Sequence, residues 1–101
     1  MLLELKCIHG KNRSGSYYGK AHVIEEDQGV FLQSYDTVVC GIVDGKIEKY
    51  WPGYSATTMW HIHDFLKQSG FSGLGKNEWE KLETVPCPVQ PMPVSYKATY
   101  Y

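Results

Sequence analysis

The chain has 101 residues, a formal net charge of −1 from 10 Lys and Arg against 11 Asp and Glu, and 43% hydrophobic residues. This length and composition suit one domain with a modest core and exclude disorder throughout the chain. The near-neutral charge provides no global attraction for polyanions, so a protein or small-molecule partner is favoured and nucleic-acid binding would need a local basic patch.

The N-terminal segment alternates apolar and polar side chains. Leu3, Leu5 and Cys7 alternate with Glu4 and Lys6, which is the period of two expected for a half-buried strand. A charge at the fourth position interrupts any signal-peptide core or membrane-length apolar run. The sequence therefore predicts a cytoplasmic protein with no membrane partner.

A polar loop without any acidic residue follows from Gly10 to Lys20. Its basic and aromatic side chains are Lys11, Arg13, Tyr17, Tyr18 and Lys20. Such loops suit contacts with a nucleic-acid backbone or an acidic protein surface, and the alternative is a solvated hairpin loop. A phosphate-binding loop is disfavoured, because the stretch lacks a second glycine followed by Lys and Ser or Thr.

The middle of the chain predicts four further strands. Ala21 to Glu25 and Val30 to Tyr35 flank an acidic turn, and Thr37 to Val43 is β-branched and apolar on both faces, as in a central strand. Asp44-Gly45 then predicts a two-residue hairpin, because both residues tolerate positive φ. Ile47 to Trp51 forms the return strand, which Pro52-Gly53 ends.

A helix is predicted from Ser55 to Ser69, with hydroxyl residues at its start and Gly70 as its stop. Helical periodicity places an apolar stripe on one side, made of Met59, Ile62, Phe65 and Leu66. The nearly opposite side carries Trp60, Asp64 and Gln68. A second, short helix is predicted from Asn77, as N-cap, to Glu83, with Trp79 and Leu82 facing inward.

The C-terminal segment is rich in proline. Residues 85–93 hold four of the five prolines, so residues 85–101 are predicted to be an extended segment following a single domain at residues 1–84. An exposed tryptophan at Trp60 is unusual, and two explanations stay open. Either the proline-rich segment folds back over it, or it anchors an interface.

Together these elements predict an α+β fold, with an antiparallel meander of four to five strands packed against the Ser55 to Ser69 helix. No arrangement predicts an enzyme, a metal or a cofactor. His61 and His63 are two apart, so on a helix they point about 200° away from each other and cannot chelate one ion; they are predicted to be surface and flank residues. The alternative is a metal site formed by Cys7, His9, Cys40 and Cys87, if these residues converge in space. Three scattered cysteines predict reduced thiols, with Cys40 a small core residue.

Two strings carry a family resemblance: S-Y-x-T-x-V from Ser34 to Val39, and Y-S-x-T-T-x-x-H-I-x-x-F-L from Tyr54 to Leu66. They resemble a family of small uncharacterised proteins from bacteriophages and mobile elements of Firmicutes, over about residues 29–83. The resemblance implies no chemistry. It implies an accessory protein that binds a host protein, and inhibitors of host defence such as anti-CRISPR proteins are one recurrent class of these.

The sequence therefore predicts a non-enzymatic accessory protein that binds and inhibits a host macromolecule, with a CRISPR–Cas effector as one such target. The alternative is a nucleic-acid-binding accessory protein that uses the basic loop. In either case the predicted partner-binding residues are Lys11, Arg13, Tyr17, Tyr18, Lys20, Trp60, His61 and Asp64.

Overall fold

The computed structural model describes residues 1–8, 17 and 19–94. In that part of the chain lie five strands and two helices: β1 (Leu2–Glu4), β2 (Ala21–Glu26), β3 (Gly29–Ser34), β4 (Thr37–Val43), β5 (Lys46–Lys49), α1 (Ala56–Gln68) and α2 (Lys76–Lys81). The predicted α+β class is confirmed. No helix in the described ranges is long and apolar enough to cross a membrane.

The five strands form one sheet in the order β1-β2-β3-β4-β5, and every neighbouring pair is antiparallel. This is the predicted meander. The hairpin between β4 and β5 turns at Asp44 and Gly45, whose φ angles are 52° and 74°. Both residues thus adopt the positive φ that the dipeptide predicted.

Strand alternation directs neighbouring residues of β3 to opposite faces of the sheet. Leu32 joins the main core under α1, while Phe31 joins a second cluster on the other face. The register of β3 against β4 shifts between Leu32 and Gln33. The main core unites residues of the N-terminal segment, the sheet and both helices, which are Leu5, Cys7, Tyr17, Ala21, Leu32, Val39, Cys40, Ile62, Phe65, Leu66 and Trp79.

The proline-rich segment lies on the face of the sheet opposite α1. Val89 packs against the second cluster with Phe31. The Met92 backbone N–H donates to Gln33 Oε1 at 2.7 Å, and Gln33 Nε2 donates to the Met92 carbonyl at 2.8 Å. The described part of this segment is therefore fastened to the far face and does not cover Trp60. Of the two explanations for an exposed tryptophan, the covering segment is excluded for residues 85–94.

The start of α1 follows the predicted cap. Ser55 is the N-cap, and its hydroxyl accepts the Thr58 N–H at 3.1 Å. Ile62, Phe65 and Leu66 are buried, and Met59 is half-buried against the same core, so the predicted apolar stripe is confirmed.

The cap of α2 differs from the prediction. Its N-cap is Gly75 and not Asn77, and the Glu78 carboxylate accepts the Gly75 N–H at 3.4 Å. Trp79 is fully buried, as predicted, and its indole N–H donates to the Gly53 carbonyl at 3.1 Å. Gly75 has no side chain to cap the helix, so the capping contact comes from the Glu78 carboxylate.

Candidate functional site

A buried carboxylate ties the N-terminal segment to α1. Asp64 is fully buried, and its Oδ2 accepts the Ile8 N–H at 2.9 Å and the Tyr17 hydroxyl hydrogen. Its Oδ1 has no hydrogen-bond partner among the described residues, so the link depends on Oδ2. Ile8 and Tyr17 flank residues 9–16 in the chain. The carboxylate therefore holds Ile8, which precedes the predicted basic loop, and Tyr17, which belongs to it, against one helix.

Tyr17 is a core residue. Its ring packs edge-on against His61, with ring centroids 4.4 Å apart, and its hydroxyl also lies 3.3 Å from the Trp60 carbonyl. Burial, reinforced by the hydrogen bond to Asp64, raises the pKa of the Tyr17 hydroxyl well above its usual value. The hydroxyl therefore stays protonated and donates to the carboxylate.

Tyr17, His61 and Asp64 were predicted to lie on the surface, and that placement is wrong. Their exposed fractions are 7%, 0% and 0%. Helical periodicity placed Asp64 opposite the apolar stripe, but the N-terminal segment covers this side of α1 and supplies donors for the carboxylate. A polar residue with such partners can be buried at a flank that a helical wheel assigns to solvent.

The buried polar network continues at His61. The Ser34 hydroxyl lies 2.8 Å from His61 Nδ1 and 3.1 Å from Thr58 Oγ1. In some enzymes a serine is the nucleophile and a neighbouring histidine is its base. Here both residues are buried, and a hydroxyl held in the core cannot reach a substrate in solvent. These contacts join the end of β3 to α1. Ser34 belongs to the first string of the family resemblance, and Thr58 and His61 belong to the second. These residues therefore serve to pack the helix on the sheet.

The outer side of α1 presents an aromatic surface, by which we mean Tyr54, Trp60 and His63. Tyr54 is 45% exposed and Trp60 is 36% exposed. With neighbouring apolar residues they line a groove of about 290 Å³ formed by Tyr54, Ala56, Met59, Trp60, His63, Leu74, Gly75 and Lys76. The sequence left open whether Trp60 is covered or exposed; the structure shows an exposed ring with a groove beside it.

A second groove lies on the other side of Trp60 and His63. It is lined by Ile8, Trp60, His63, Asp64 and Lys67. The rings of Trp60 and His63 meet edge to face, with centroids 5.7 Å apart and an interplanar angle of 83°. Trp60 and His63 therefore form a shared wall between two depressions.

A glycine lets the His63 ring occupy this wall. A Cβ added at Gly73 would lie 2.1 Å from His63 Nδ1, closer than any side chain tolerates. Only a residue without a side chain permits this approach. Gly73 therefore helps to set the position of His63.

The exposed side of α1 carries charge of one sign. Asp64 is the one acidic residue of α1, and it is buried, so the exposed part of this helix carries Lys67 and no carboxylate. At the other end of the first groove, Lys76 Nζ lies 4.8 Å from the centroid of the Tyr54 ring. Cations thus flank the aromatic surface.

The structure describes only some of the predicted partner-binding residues. Lys11, Arg13 and Tyr18 lie outside the described residues, and Lys20 is half-buried just before β2. Sequence reasoning missed Tyr54, His63 and the groove residues around Leu74, although Tyr54 opens the second string of the resemblance. The available signal in the sequence was position: Tyr54 and His63 lie near Trp60, and Leu74 lies in the glycine-rich turn after α1.

The thiols and histidines show no metal-binding arrangement among the described residues. There, no three His, Cys, Asp or Glu side chains converge as ligands would. Cys7 and Cys40 are buried and Cys87 is exposed. Burial raises the pKa of the Cys40 thiol, which keeps it protonated, and its predicted place in the core is confirmed.

Comparison with known protein families finds a match that covers most of the chain. The model of a family described as a family of unknown function, DUF8033, matches residues 3–81. No curated protein and no solved structure matches the chain. The matched range contains every strand and both helices of the described residues, apart from Leu2 at the start of β1.

Proposed function

The chain belongs to the DUF8033 family of unknown function, and from that premise we propose that it is a non-enzymatic protein that acts by binding a partner protein through its aromatic surface. In this proposal it is an accessory protein of a phage or mobile element that binds and inhibits a host protein. The observation that carries the proposal is the exposed Trp60, set between two grooves.

The composition of the aromatic surface supports a protein interface. Trp and Tyr are enriched among the residues that dominate binding energy at interfaces, especially where they border pockets. Single exposed apolar residues are common on protein surfaces, but here Tyr54, Trp60 and His63 are adjacent and border one groove. A partner side chain inserted there would be enclosed by rings on two sides.

The described residues that border residues 9–16 lie against the helix that carries the aromatic surface. Ile8 precedes residues 9–16 and Tyr17 follows them. Both bind Asp64, which lies on the helix that carries Trp60. Ile8 and Asp64 both line the second groove, so the described end of the N-terminal segment lies at that groove.

The inhibitory role rests on the family resemblance. Small accessory proteins of phages and mobile elements commonly bind a host protein, and a CRISPR–Cas effector is one target that this context suggests. Such inhibition requires a stable stoichiometric complex and no turnover. The buried Ser34–His61 pair, which is the arrangement closest to a catalytic one, is consistent with a structural role.

The experiment is affinity purification of the tagged chain from host lysate, with Trp60→Ala beside the wild type. We expect a stoichiometric partner with the wild type and its loss with Trp60→Ala, since truncating an interface tryptophan costs about 2 kcal/mol or more. Met92→Ala is the matched control, because Met92 is 40% exposed on the opposite face of the sheet. Capture of the same partner by Trp60→Ala would contradict the proposal.

The second candidate is nucleic-acid binding by the acid-free loop from Gly10 to Lys20, with Lys67 on the adjacent helix side. The two candidates differ in salt dependence. Binding to phosphates weakens steeply as salt is raised, because counterions are released, whereas an apolar protein interface shows a shallow dependence. A salt titration of the purified complex separates them.

A further inference from the structure

We propose that the partner presents an acidic segment with one bulky apolar side chain. This side chain inserts into the groove between Tyr54, Trp60 and Leu74, while neighbouring carboxylates meet Lys67 and Lys76. This inference rests on the proposed function and names the chemistry of its partner.

The groove specifies the apolar anchor. Its walls are the Tyr54 and Trp60 rings, and its remaining surface is largely apolar, from Ala56, Met59 and Leu74. Its volume of about 290 Å³ suits one large side chain more than an extended polar ligand. An aromatic or long aliphatic residue would replace water along both rings.

The surrounding charges specify the acidic residues. Lys67 and Lys76 lie at separate grooves on either side of the Trp60–His63 wall, and the exposed side of α1 offers no carboxylate that would repel an acid. Complementary charge steers association and rejects partners of the wrong sign. A basic segment would meet two lysines and no exposed acid on α1.

Lys76 already has one acidic neighbour, which a partner would have to displace or share. Its Nζ lies 3.9 Å from Glu80 Oε1, with both side chains more than half exposed. An exposed pair of this kind contributes little to stability. Glu78 is also exposed, and its carboxylate accepts the Gly75 N–H at 3.4 Å at the start of α2. The lysine can therefore turn to a partner carboxylate at small cost.

The test is selection of a displayed random peptide library on the folded wild-type chain, with counter-selection on Trp60→Ala. We expect enriched peptides in which at least two Asp or Glu residues flank a Trp, Phe or Leu. With a labelled enriched peptide, Lys67→Glu together with Lys76→Glu should weaken binding about tenfold. Lys46→Glu on β5 is the charge-matched control and should change affinity less than twofold.

Each other outcome overturns the inference. Enriched peptides that lack acids but still need Trp60 would contradict the acidic partner and leave the proposed function standing. Peptides that bind Trp60→Ala equally well would contradict both. The absence of any enriched peptide would also contradict the acidic partner. So would competition by single-stranded oligothymidylate that is lost in the Lys67→Glu, Lys76→Glu double variant. The purification from lysate tests the proposed function independently.

Discussion

The Tyr17 hydroxyl donates to the Asp64 carboxylate across 47 residues of sequence. Because the same carboxylate oxygen accepts the Ile8 N–H, this one contact holds the chain on both sides of residues 9–16 against α1. The helix that carries Trp60 is thereby fixed to the N-terminal segment. The position of the aromatic surface depends on a buried polar pair.

Tyr17→Phe should destabilise the fold. It keeps the ring contact with His61 but leaves the buried Asp64 Oδ2 with one donor fewer, which costs about 1–3 kcal/mol. Urea unfolding measures the loss. Tyr54→Phe is the control, because Tyr54 is exposed, and it should change the free energy of unfolding by less than about 0.5 kcal/mol. Equal effects of the two variants would disprove a special role for the Tyr17 hydroxyl.

Lys49→Met should loosen α2. Lys49 is 5% exposed, and its Nζ donates to the Trp79 carbonyl at 3.0 Å and to the Leu82 carbonyl at 3.4 Å. Methionine retains the apolar stem but leaves these carbonyls at the C-terminal end of the helix without the ammonium, for a loss of about 1–2 kcal/mol. Hydrogen exchange should quicken across Lys76–Lys81.

The control for this change is Lys46→Met, at an exposed position of the same strand. It should leave exchange in α2 unaltered. If Lys49→Met instead stabilised the protein, the desolvation cost of the ammonium would exceed its hydrogen bonds, and the capping role would be refuted.

Gly73→Ala should displace the His63 ring. An added Cβ at this position would lie 2.1 Å from His63 Nδ1, so the imidazole must move. The His63 ring resonances should shift in ¹H–¹³C spectra, with those of Trp60 following because the two rings are in contact. Ser72→Ala, at the exposed preceding residue, is the control. Unchanged His63 resonances in Gly73→Ala would contradict the close approach.

Acidification should weaken the fold through His22. Its partial burial lowers the pKa of the imidazole below the ordinary value of 6.5, although Glu4 across the strand pair opposes the shift. The unfolded chain therefore binds the proton more readily, and stability falls as pH drops through the unfolded pKa. Urea midpoints at about pH 7.5 and about pH 5.5 measure this loss.

Two variants make the sign of this effect testable. His22→Gln should reduce the fall in stability between the two pH values. Glu4→Gln should increase it, because removing the carboxylate lowers the pKa of His22 further. An unchanged pH dependence of stability in His22→Gln would contradict the role of His22.

Local patterns predicted most of the elements. The bounds of β4 at Thr37–Val43 agree with the β-branched run, and the turn at Asp44-Gly45 has the two positive φ angles that this dipeptide favours. The helix α1 begins after the predicted Ser55 cap. These features depend on neighbours in sequence, so the residues themselves carry the information.

Prediction failed where distant segments supply partners. Asp64 was assigned to solvent, and it is buried because Ile8 and Tyr17 reach it from outside the helix. Lys49 was assigned only to the return strand from Ile47 to Trp51, yet its ammonium caps α2 by donating to the Trp79 carbonyl, 30 residues away in sequence. No periodicity in either segment signals such a contact.

The sequence by itself determined the strands, the turn and the apolar stripe of α1, and it left open whether Trp60 is covered or exposed. Only the tertiary structure decided that His61 and Asp64 are buried, that the proline-rich segment lies on the far side of the sheet, and that Tyr54 and His63 join Trp60 around a groove. The reason is physical: periodicity is set by backbone geometry within one element, whereas burial of a polar group depends on whether another segment offers it a hydrogen bond.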